Sequence, residues 1–330
     1  MKTGLTSKEQ ILSILEANGA NFTSGEEMAG KLFITRAAVW KGIRALKKEG
    51  YEIEAVTNRG YRLVKNAPSL TAADIKQYLT TRRELELFVY DEVGSTNDLA
   101  LQYAKEHPGR EALFVAARQT NGRGRRGRSF FSPKDTGLYM SFLIYPHVSF
   151  EEASTYTSLT AVALSEAIET ALNIKTGIKW VNDIFYNDRK VAGILTEGIA
   201  SMEDHSLSHV VIGAGINVYN PYEGFPGEIR DIAGFLLDTP AKENERAKLA
   251  ASFADRLIER LEMPAGSFVD QYVERSILIG KYVRVENFVK GSKPKYAKVT
   301  GIDGECRLLV EYEDGRTEAL SSGEVSVRKY

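Results

Sequence analysis

Residues 122–128 read "GRGRRGR" and place four arginines and three glycines in seven positions. The whole chain has a net charge of −1, so this positive charge is local. Glycine destabilises an ordered loop unless the backbone needs a positive φ or a close approach. Three interpretations compete: a nucleic-acid-binding segment, a surface charge run with no role, and an anion-binding loop.

The anion-binding interpretation explains the block best. Arginine–glycine segments that bind nucleic acid are usually repeated and disordered, whereas this block occurs once, between the strand-like runs "ALFVAARQT" and "LYMSFLIYP". Guanidinium groups match carboxylate and phosphate oxygens, and glycine lets backbone N–H groups approach them. The block therefore predicts a clamp that holds a polyanion and offsets charge in phosphoryl transfer. No G-x-x-x-x-G-K-[ST] sequence occurs, so a nucleotide would bind in some way other than through a Walker loop.

Composition limits the class of protein. The chain has 330 residues, of which 43% are hydrophobic and 26% charged, as in a soluble protein of two or three domains. Its single cysteine, Cys306, excludes an internal disulfide and fits a reducing compartment. The N-terminus lacks an apolar signal core, and no run approaches about 18 apolar residues. We therefore expect a cytoplasmic protein with no membrane association.

Residues 1–66 predict three helices followed by a β-hairpin. Ser7 and Ser24 each begin a capping-box pattern, and Thr35 can cap a third helix that runs to about Lys48. The runs "YEIEAV" and "YRLV" alternate on either side of the turn "TNRG". This order is typical of a winged helix-turn-helix domain.

The N-terminal region also has a local positive charge. Residues 1–65 contain eleven Lys and Arg residues against seven Asp and Glu residues, which is the electrostatic footprint of a DNA-binding module. A helical packing domain with an ordinary solvated face is the alternative, and Trp40 suits either DNA contact or packing on the hairpin. The helix-turn-helix is predicted from Ser24 to Ile43, and the predicted DNA-binding residues are Arg36, Trp40, Lys41, Arg44, Lys47 and, at the hairpin tip, Arg59.

Two further regions follow. Residues 70–275 mix strand-like runs such as "VVIGAGINV" with helical runs such as "NERAKLAASFADRLIERLE", which predicts a mixed α/β domain of catalytic size. Residues 277–330 contain short strand-like runs separated by glycine turns, which predicts a small β-barrel. The chain is therefore predicted to be a multidomain α+β protein.

Several motifs together resemble those of a known family. The run "GRGRRGRSF" is preceded by "DEVGSTND" and followed by "KWVNDIFYNDRKVAGILTE" and "VVIGAGINV", an order that resembles the biotin–protein ligase family. With the winged helix, the whole chain resembles the bifunctional bacterial type, which is also the biotin operon repressor. The resemblance implies a central domain of the biotin/lipoate ligase type and an SH3-like C-terminal barrel. The family usually has proline where this chain has Val181.

The resemblance also implies a reaction. The carboxylate of biotin attacks the α-phosphate of ATP to give biotinyl-5′-AMP and pyrophosphate. A lysine of biotin carboxyl carrier protein, part of acetyl-CoA carboxylase, or of another biotin-dependent carboxylase then attacks the mixed anhydride. Because two anions must approach each other, positive charge is needed in a site shielded from water. Mg²⁺ is expected with ATP, although the sequence shows no protein cage for it.

The resemblance assigns roles to individual residues. Lys190 matches the family residue between the carboxylate and the α-phosphate, Arg125 closes over biotin and the adenylate, and Asp183 orients or deprotonates the incoming lysine. These three are the predicted catalytic residues, and no metal ligands are predicted. The predicted biotin-binding residues are Ser95, Thr96, Asn97, Gln119, Gly122, Arg123, Gly124, Arg125, Lys190 and Gly193. The predicted ATP-binding residues are Arg126, Arg128, Asn182, Asn217, Glu324 and Arg328.

Structural interpretations remain open at several of these positions. Lys190 also suits a solvated turn, Asp183 suits a structural turn, and Ser95 suits a helix cap. The glycines of "GAGIN" suit a strand end beside the nucleotide or a tight turn, and Glu324 with Arg328 suits a surface salt bridge. Trp180 and Phe130 are more often core residues than ligand-stacking residues, although either can shield the site.

Two other functions remain as alternatives. A lipoate–protein ligase shares the fold and the adenylation chemistry, and a transcription regulator with a non-catalytic ligand-sensing domain belongs to another class. For the bifunctional type, the resemblance implies a homodimer when the adenylate is bound. Such a dimer brings two winged helices to two half-sites of operator DNA.

Overall fold

The computed structural model describes residues 6–18, 21–48, 51–57, 59–65, 70–146, 148, 153–200, 207–221, 223–238, 244–286, 295–321 and 324–327. Among these residues, no helix has the length and apolar character needed to cross a membrane.

The N-terminal unit contains three helices and a hairpin, as the sequence predicts. Helices α1, α2 and α3 span Ser7–Asn18, Gly25–Leu32 and Arg36–Lys48, and strands β1 and β2 span Glu52–Val56 and Gly60–Lys65 in antiparallel pairing. Residues at helical spacing face inward and form one apolar core. Its fully buried members are Ile11, Leu15, Met28, Val39, Ile43, Leu46 and Ile53.

Two of the three predicted helix caps form. Ser24 Oγ accepts a hydrogen bond from Glu27 N at 3.0 Å, and Thr35 Oγ1 accepts from the backbone N–H three residues on at 3.1 Å. The predicted cap of α1 is wrong by one residue, because Ser7 is already helical. Thr6 takes the capping position: its N–H donates to Glu9 Oε2 at 2.7 Å, and its hydroxyl oxygen accepts from Glu9 N at 3.4 Å.

Phe33 ends α2 in the left-handed conformation, with φ +55° and a side chain that is 95% exposed. An L-residue pays a steric cost there that glycine avoids, and this side chain buries little surface. We expect Phe33→Gly to raise the free energy of opening of this unit by about 1 kcal/mol. Hydrogen exchange of peptides from residues 25–48 measures it. Phe33→Ala retains the strained conformation and should show no such gain; equal protection in both variants would contradict the explanation.

A seven-stranded mixed sheet forms the centre of the molecule, in the order β3-β4-β5-β9-β8-β7-β6. Only β3 and β4 run parallel; the other neighbours are antiparallel. The sheet confirms the predicted α/β character of this region. The strands are β3 Glu86–Tyr90, β4 Ala112–Ala116, β5 Gly137–Ile144, β6 Gly177–Lys179, β7 Asp183–Tyr186, β8 Arg189–Ala200 and β9 Leu207–Asn217.

Helices cover both faces of this sheet. The inward residues Leu113 and Phe142 join the large core with two long helices, where Phe142 packs edge-on against Phe253 at 5.4 Å. On the other face, Phe114 packs in a separate cluster with Ala100. Strands covered on both faces read as continuous apolar runs, as β4 and β5 do. The helices are α4 Ala72–Lys76, α5 Thr96–Glu106, α6 Tyr156–Leu172, α7 Glu245–Glu262 and α8 Val269–Glu274.

The C-terminal region forms a five-stranded antiparallel sheet in the order β13-β12-β11-β10-β14. Its edge strands β13 and β14 do not pair within the described part of the chain, so the predicted closed barrel is not confirmed. The sheet joins the central region where Trp180 Nε1 donates a hydrogen bond to Cys306 O at 2.9 Å. The strands are β10 Tyr282–Glu286, β11 Lys295–Ile302, β12 Leu308–Tyr312, β13 Thr317–Leu320 and β14 Glu324–Val327.

Cys306 is 5% exposed in the core of this sheet, and burial raises the pKa of its thiol to about 11. Because the thiolate is the reactive form, we expect little alkylation by iodoacetamide at pH 8 in the folded protein. Urea should restore rapid reaction, because the unfolded thiol regains an ordinary pKa near 8.5. Mass spectrometry of the alkylated chain measures both rates. Equal rates in the two states would contradict the buried placement.

Candidate active site

A cavity of about 450 Å³ opens beside the central sheet and brings together segments that are far apart in sequence. Lys190 and the segment from Arg123 to Arg128 share this one cavity. Most of the predicted ligand-binding residues line it. These residues are Ser95, Thr96, Asn97, Gln119, Arg123, Gly124, Arg125, Arg126, Arg128, Asn182, Asp183, Lys190, Gly193 and Asn217.

The arginine–glycine loop, residues 122–130, is an ordered turn. Gly124 N donates to Arg128 O at 2.7 Å, and Phe130 N donates to Gly122 O at 2.8 Å. A 3-10 turn forms the tip, where Gly127 has φ +71°. At the base, a Cβ on Gly122 would lie 2.6 Å from the backbone oxygen of Phe130. The glycines therefore serve close packing at one end of the loop and a left-handed backbone at the other.

Lys190 and Asp183 form an ion pair on the cavity wall, with 2.6 Å between Lys190 Nζ and Asp183 Oδ1. They lie on the adjacent strands β8 and β7. The backbone of Lys190 is fixed from both sides, because its N–H donates to Ile232 O and its carbonyl accepts from Gly234 N, each at 2.8 Å. The ammonium is thus held in place while both side chains stay partly accessible from the cavity.

Arg125 connects the loop to this wall. Its NH1 donates to Asn182 Oδ1 at 3.1 Å, and Asn182 Nδ2 donates to Ile194 O at 3.0 Å. Val181, the residue before Asn182, stands at the family proline position. Its carbonyl accepts a hydrogen bond from the hydroxyl of Tyr272 at 3.1 Å. With valine in place of the family proline, Asn182 still lines the cavity. It lies next to Asp183, which forms the ion pair with Lys190.

A buried polar array lies at the start of α5. Ser95 Oγ accepts from the backbone of the first turn, as a helix cap does. Thr96 N donates to Gln119 Oε1 at 2.9 Å, and Ser141 Oγ lies 2.7 Å from Thr96 Oγ1 and 2.5 Å from Asn97 Oδ1. Hydroxyl, amide and backbone groups therefore offer donors and acceptors for a small polar ring.

The glycines of "GAGIN" allow close packing at the cavity floor. A Cβ on Gly213 would lie 2.2 Å from Asn97 Oδ1, and one on Gly215 would lie 2.6 Å from the ring of Phe130. Phe130 also lines the cavity, so its side chain shields the site. Of the other predicted ligand-binding residues, Gly122 is buried at the base of the loop, and the side chain of Glu324 and all of Arg328 lie outside the described residues.

Sequence reasoning missed several lining residues. Glu286 and Val325 reach the cavity from the C-terminal sheet, and Ile232 and Ala233 reach it from the segment after β9. The strands β10 and β14 carry no ligand-binding motif, and the backbone bridge between Lys190 and Ala233 spans more than forty residues. A local signal for these positions is absent from the sequence.

The predicted basic face forms on α3. Arg36, Lys41 and Lys47 are exposed, opposite the inward core residues of the helix. Trp40 is half-exposed, and the guanidinium of Arg44 lies 4.7 Å from the centre of its ring. At the hairpin tip, the exposed Arg59 stacks on Phe22 at 4.3 Å. The charged surface needed for a phosphate backbone is therefore present.

Comparison with known proteins matches all three regions of the chain in order. The sequence model of the biotin/lipoate A/B protein ligase family matches residues 89–217, an HTH domain model matches residues 7–62, and the biotin protein ligase C terminal domain model matches residues 278–328. A biotin protein ligase from Aquifex aeolicus, solved in complex with biotin and ATP, is 26% identical with a TM-score of 0.58, covering 74% of this chain and 99% of that one.

Several relatives match over almost their full length, and two of them illustrate the range of identity. The bifunctional ligase/repressor BirA of Bacillus subtilis is 34% identical, and the alignment covers 96% of this chain and 98% of the relative. The bifunctional ligase/repressor BirA of Escherichia coli is 30% identical, with 96% of each chain covered. The chain therefore belongs to the family of bifunctional biotin–protein ligases and transcriptional repressors.

Proposed function

We propose that this chain is an ATP-dependent biotin–protein ligase that also represses transcription of biotin synthesis genes. It forms biotinyl-5′-AMP, transfers biotin to a carrier lysine, and uses the retained adenylate as corepressor. One observation carries the ligase proposal: the polar array, the Lys190–Asp183 pair and the arginine–glycine loop line the same cavity. A ligand with a polar ring at one end and an anion at the other matches these groups.

In the first step, the polar array of Ser95, Thr96 and Asn97 holds the ureido ring of biotin, with Gln119 and Gly193 beside it. The carboxylate end then points toward Lys190. A carboxylate oxygen attacks the α-phosphorus, and the bond from that phosphorus to pyrophosphate breaks. Lys190 supplies positive charge where the two anions meet, a stabilisation that is strongest in a site shielded from water.

The loop supplies the remaining positive charge. Arg125 is placed to contact the new acyl phosphate, because its guanidinium already reaches Asn182 on the wall that carries the ion pair. Arg126 and Arg128 are assigned to the ATP phosphates, and Gly122, Arg123 and Gly124 to the part of the loop that closes over biotin. The remaining proposed ATP-binding residues are Asn182, Asn217, Glu324 and Arg328.

In the second step, a lysine amine of the carrier protein attacks the acyl carbon and AMP leaves. Asp183 is proposed to orient this amine or to accept its proton, since its carboxylate lies beside the acyl-phosphate position marked by Lys190. The acceptor is a lysine of biotin carboxyl carrier protein or of another biotin-dependent carboxylase.

Mg²⁺ is proposed to accompany ATP. In the described part of the chain, no group of three or more His, Cys, Asp and Glu side chains is arranged to hold a metal ion. Beside a nucleotide, Mg²⁺ is usually bound by phosphate oxygens and water. The ion would contribute charge neutralisation of the leaving pyrophosphate.

The regulatory half of the proposal rests on domain order. We assign residues 1–66 to the winged helix, residues 70–275 to the ligase domain and residues 277–330 to a C-terminal domain that closes as an SH3-like barrel. Adenylate binding favours a homodimer, which presents two winged helices to two operator half-sites. Because the proposed carrier protein and operator DNA are both cytoplasmic, the chain is proposed to act in the bacterial cytoplasm.

One assay tests the ligase proposal. The chain is incubated with ATP, Mg²⁺ and either biotin or lipoate, and pyrophosphate release and transfer to a carrier domain are measured. Pyrophosphate release and transfer with biotin are expected. Ligand binding without release of pyrophosphate would support a non-catalytic regulator. Transfer of lipoate but not of biotin would support a lipoate ligase.

The DNA-binding face gives a separate prediction. We expect Arg44→Ala and Lys47→Ala each to weaken operator binding and to lower the salt dependence of affinity by about one unit of slope, since each removes one phosphate contact. Fluorescence anisotropy against salt concentration measures this. Biotin ligation should be retained, and its loss in either variant would contradict the separation of the two functions.

A further inference from the structure

We propose that Asp98 and Glu197 are positioning residues that anchor the arginine–glycine loop through Arg123. In this arrangement Arg123 holds the base of the loop, and Arg125 at its tip contacts the reacting anion. The proposal rests on the proposed ligase function for its kinetic consequences, whereas the anchoring itself is a property of the unliganded chain.

The charges around the two arginines differ. Arg123 NH2 lies 2.7 Å from Asp98 Oδ1 and 3.0 Å from Glu197 Oε2. Two carboxylates thus face one guanidinium, so an added anion meets a cluster that is already negative. Arg125 instead donates to the uncharged amide of Asn182, and its positive charge remains available to a ligand. The charges around them therefore suit Arg123 to anchoring the loop and Arg125 to binding an anion.

The position of Arg123 suits an anchor. It pairs with Ser129 across the base of the loop in an antiparallel bridge, and the next residue, Gly124, donates its N–H to Arg128 O at 2.7 Å. The 3-10 tip from Arg125 to Gly127 projects from this base. Because three glycines give the segment wide backbone freedom, fixing the base limits where the tip can point.

Glu197 connects the anchor to the proposed biotin-head subsite. The same oxygen that contacts Arg123, Oε2, accepts a hydrogen bond from Asn97 Nδ2 at 2.6 Å. Asn97 is 5% exposed, and its Oδ1 lies 2.5 Å from Ser141 Oγ. One carboxylate therefore fixes both the amide that faces the ureido ring and the loop that closes over the ligand.

Asp98→Asn tests the anchor most cleanly, because the carboxylate of Asp98 contacts the loop and not the polar array. Trypsin digestion of the unliganded full chain, followed by mass spectrometry, reports cleavage at the loop arginines. We expect cleavage within residues 123–128 to become about fivefold faster, as loss of a partly exposed ion pair allows. Glu92→Gln is the matched control: it removes a carboxylate that lies 2.8 Å from Arg118 outside the loop. Unchanged cleavage in Asp98→Asn, or equal acceleration in the control, would overturn the proposal.

A double-mutant cycle tests whether Asp98 acts through Arg123. In biotin-dependent pyrophosphate release, Asp98→Asn should raise KM for biotin about fivefold and change kcat less than about twofold. The same substitution should have no further effect in an Arg123→Ala background. Additive effects on KM would overturn the proposal. Absence of pyrophosphate release from the wild-type chain would refute the ligase function instead, and the digestion would still decide the anchor.

Discussion

Lys190→Gln is expected to lower the rate of biotin-dependent pyrophosphate release by about a thousandfold, equivalent to about 4 kcal/mol of transition-state stabilisation. Glutamine is one atom shorter and keeps a hydrogen-bonding end group, but it removes the charge that meets the carboxylate and the α-phosphate. Biotin binding should change much less, because the ureido ring is proposed to contact other residues. Rapid-quench measurement of pyrophosphate at saturating biotin and ATP separates the two effects.

Lys175→Gln provides the matched control. Lys175 is exposed and precedes β6, outside the residues that line the cavity. Its substitution also removes one lysine charge from the central domain, and it should leave the rate of pyrophosphate release unchanged. Retention of more than about one third of the wild-type rate by Lys190→Gln would show that its ammonium contributes little to the chemical step.

Gly213→Ala is expected to weaken biotin binding about a hundredfold while the protein stays folded. A Cβ at this position would lie 2.2 Å from Asn97 Oδ1, so the Asn97 amide must move away from Glu197 and Ser141. A displaced Asn97 amide cannot pair with the ligand as proposed, and one or two lost hydrogen bonds to buried polar groups, at about 1–3 kcal/mol each, account for this loss of affinity. Isothermal titration calorimetry with biotin measures the change.

The control for this substitution is Gly304→Ala, where an added Cβ has nothing within 4 Å. It should bind biotin with unchanged affinity. Wild-type affinity in Gly213→Ala would mean that the Asn97 amide does not position the ligand. Hydrogen exchange of the central sheet in both variants distinguishes a local change from unfolding.

The sequence predicts the local structure of the site well where the signal is local. Alternating arginine and glycine in residues 122–128 predicts an ordered anion-binding loop, and the structure shows an ordered turn with close packing at Gly122 and a positive φ at Gly127. The helical and strand-like runs of the central domain also match its elements, because their apolar periodicity reflects burial on one or both sheet faces.

Interactions between distant segments are harder to predict. Arg123 finds its acidic partners at positions 98 and 197, and no pattern around any of the three indicates the others. The same holds for Glu286, which reaches the cavity from a C-terminal strand although no pattern around it indicates this. The predicted cap of α1 is wrong by one residue because Thr6 and Ser7 are both good capping residues, and only the backbone geometry shows which one precedes the helix.

A crystal structure of the chain with a hydrolysis-resistant biotinyl-5′-AMP analogue tests the central claim most directly. The measured quantities are the distances from Lys190 Nζ and from the Arg125 guanidinium to the oxygens of the acyl-phosphate junction. Both are predicted to be hydrogen-bond distances of about 2.7–3.2 Å, with the ureido ring against Asn97. A junction that lies more than about 6 Å from both cations, beyond direct contact, would contradict the account.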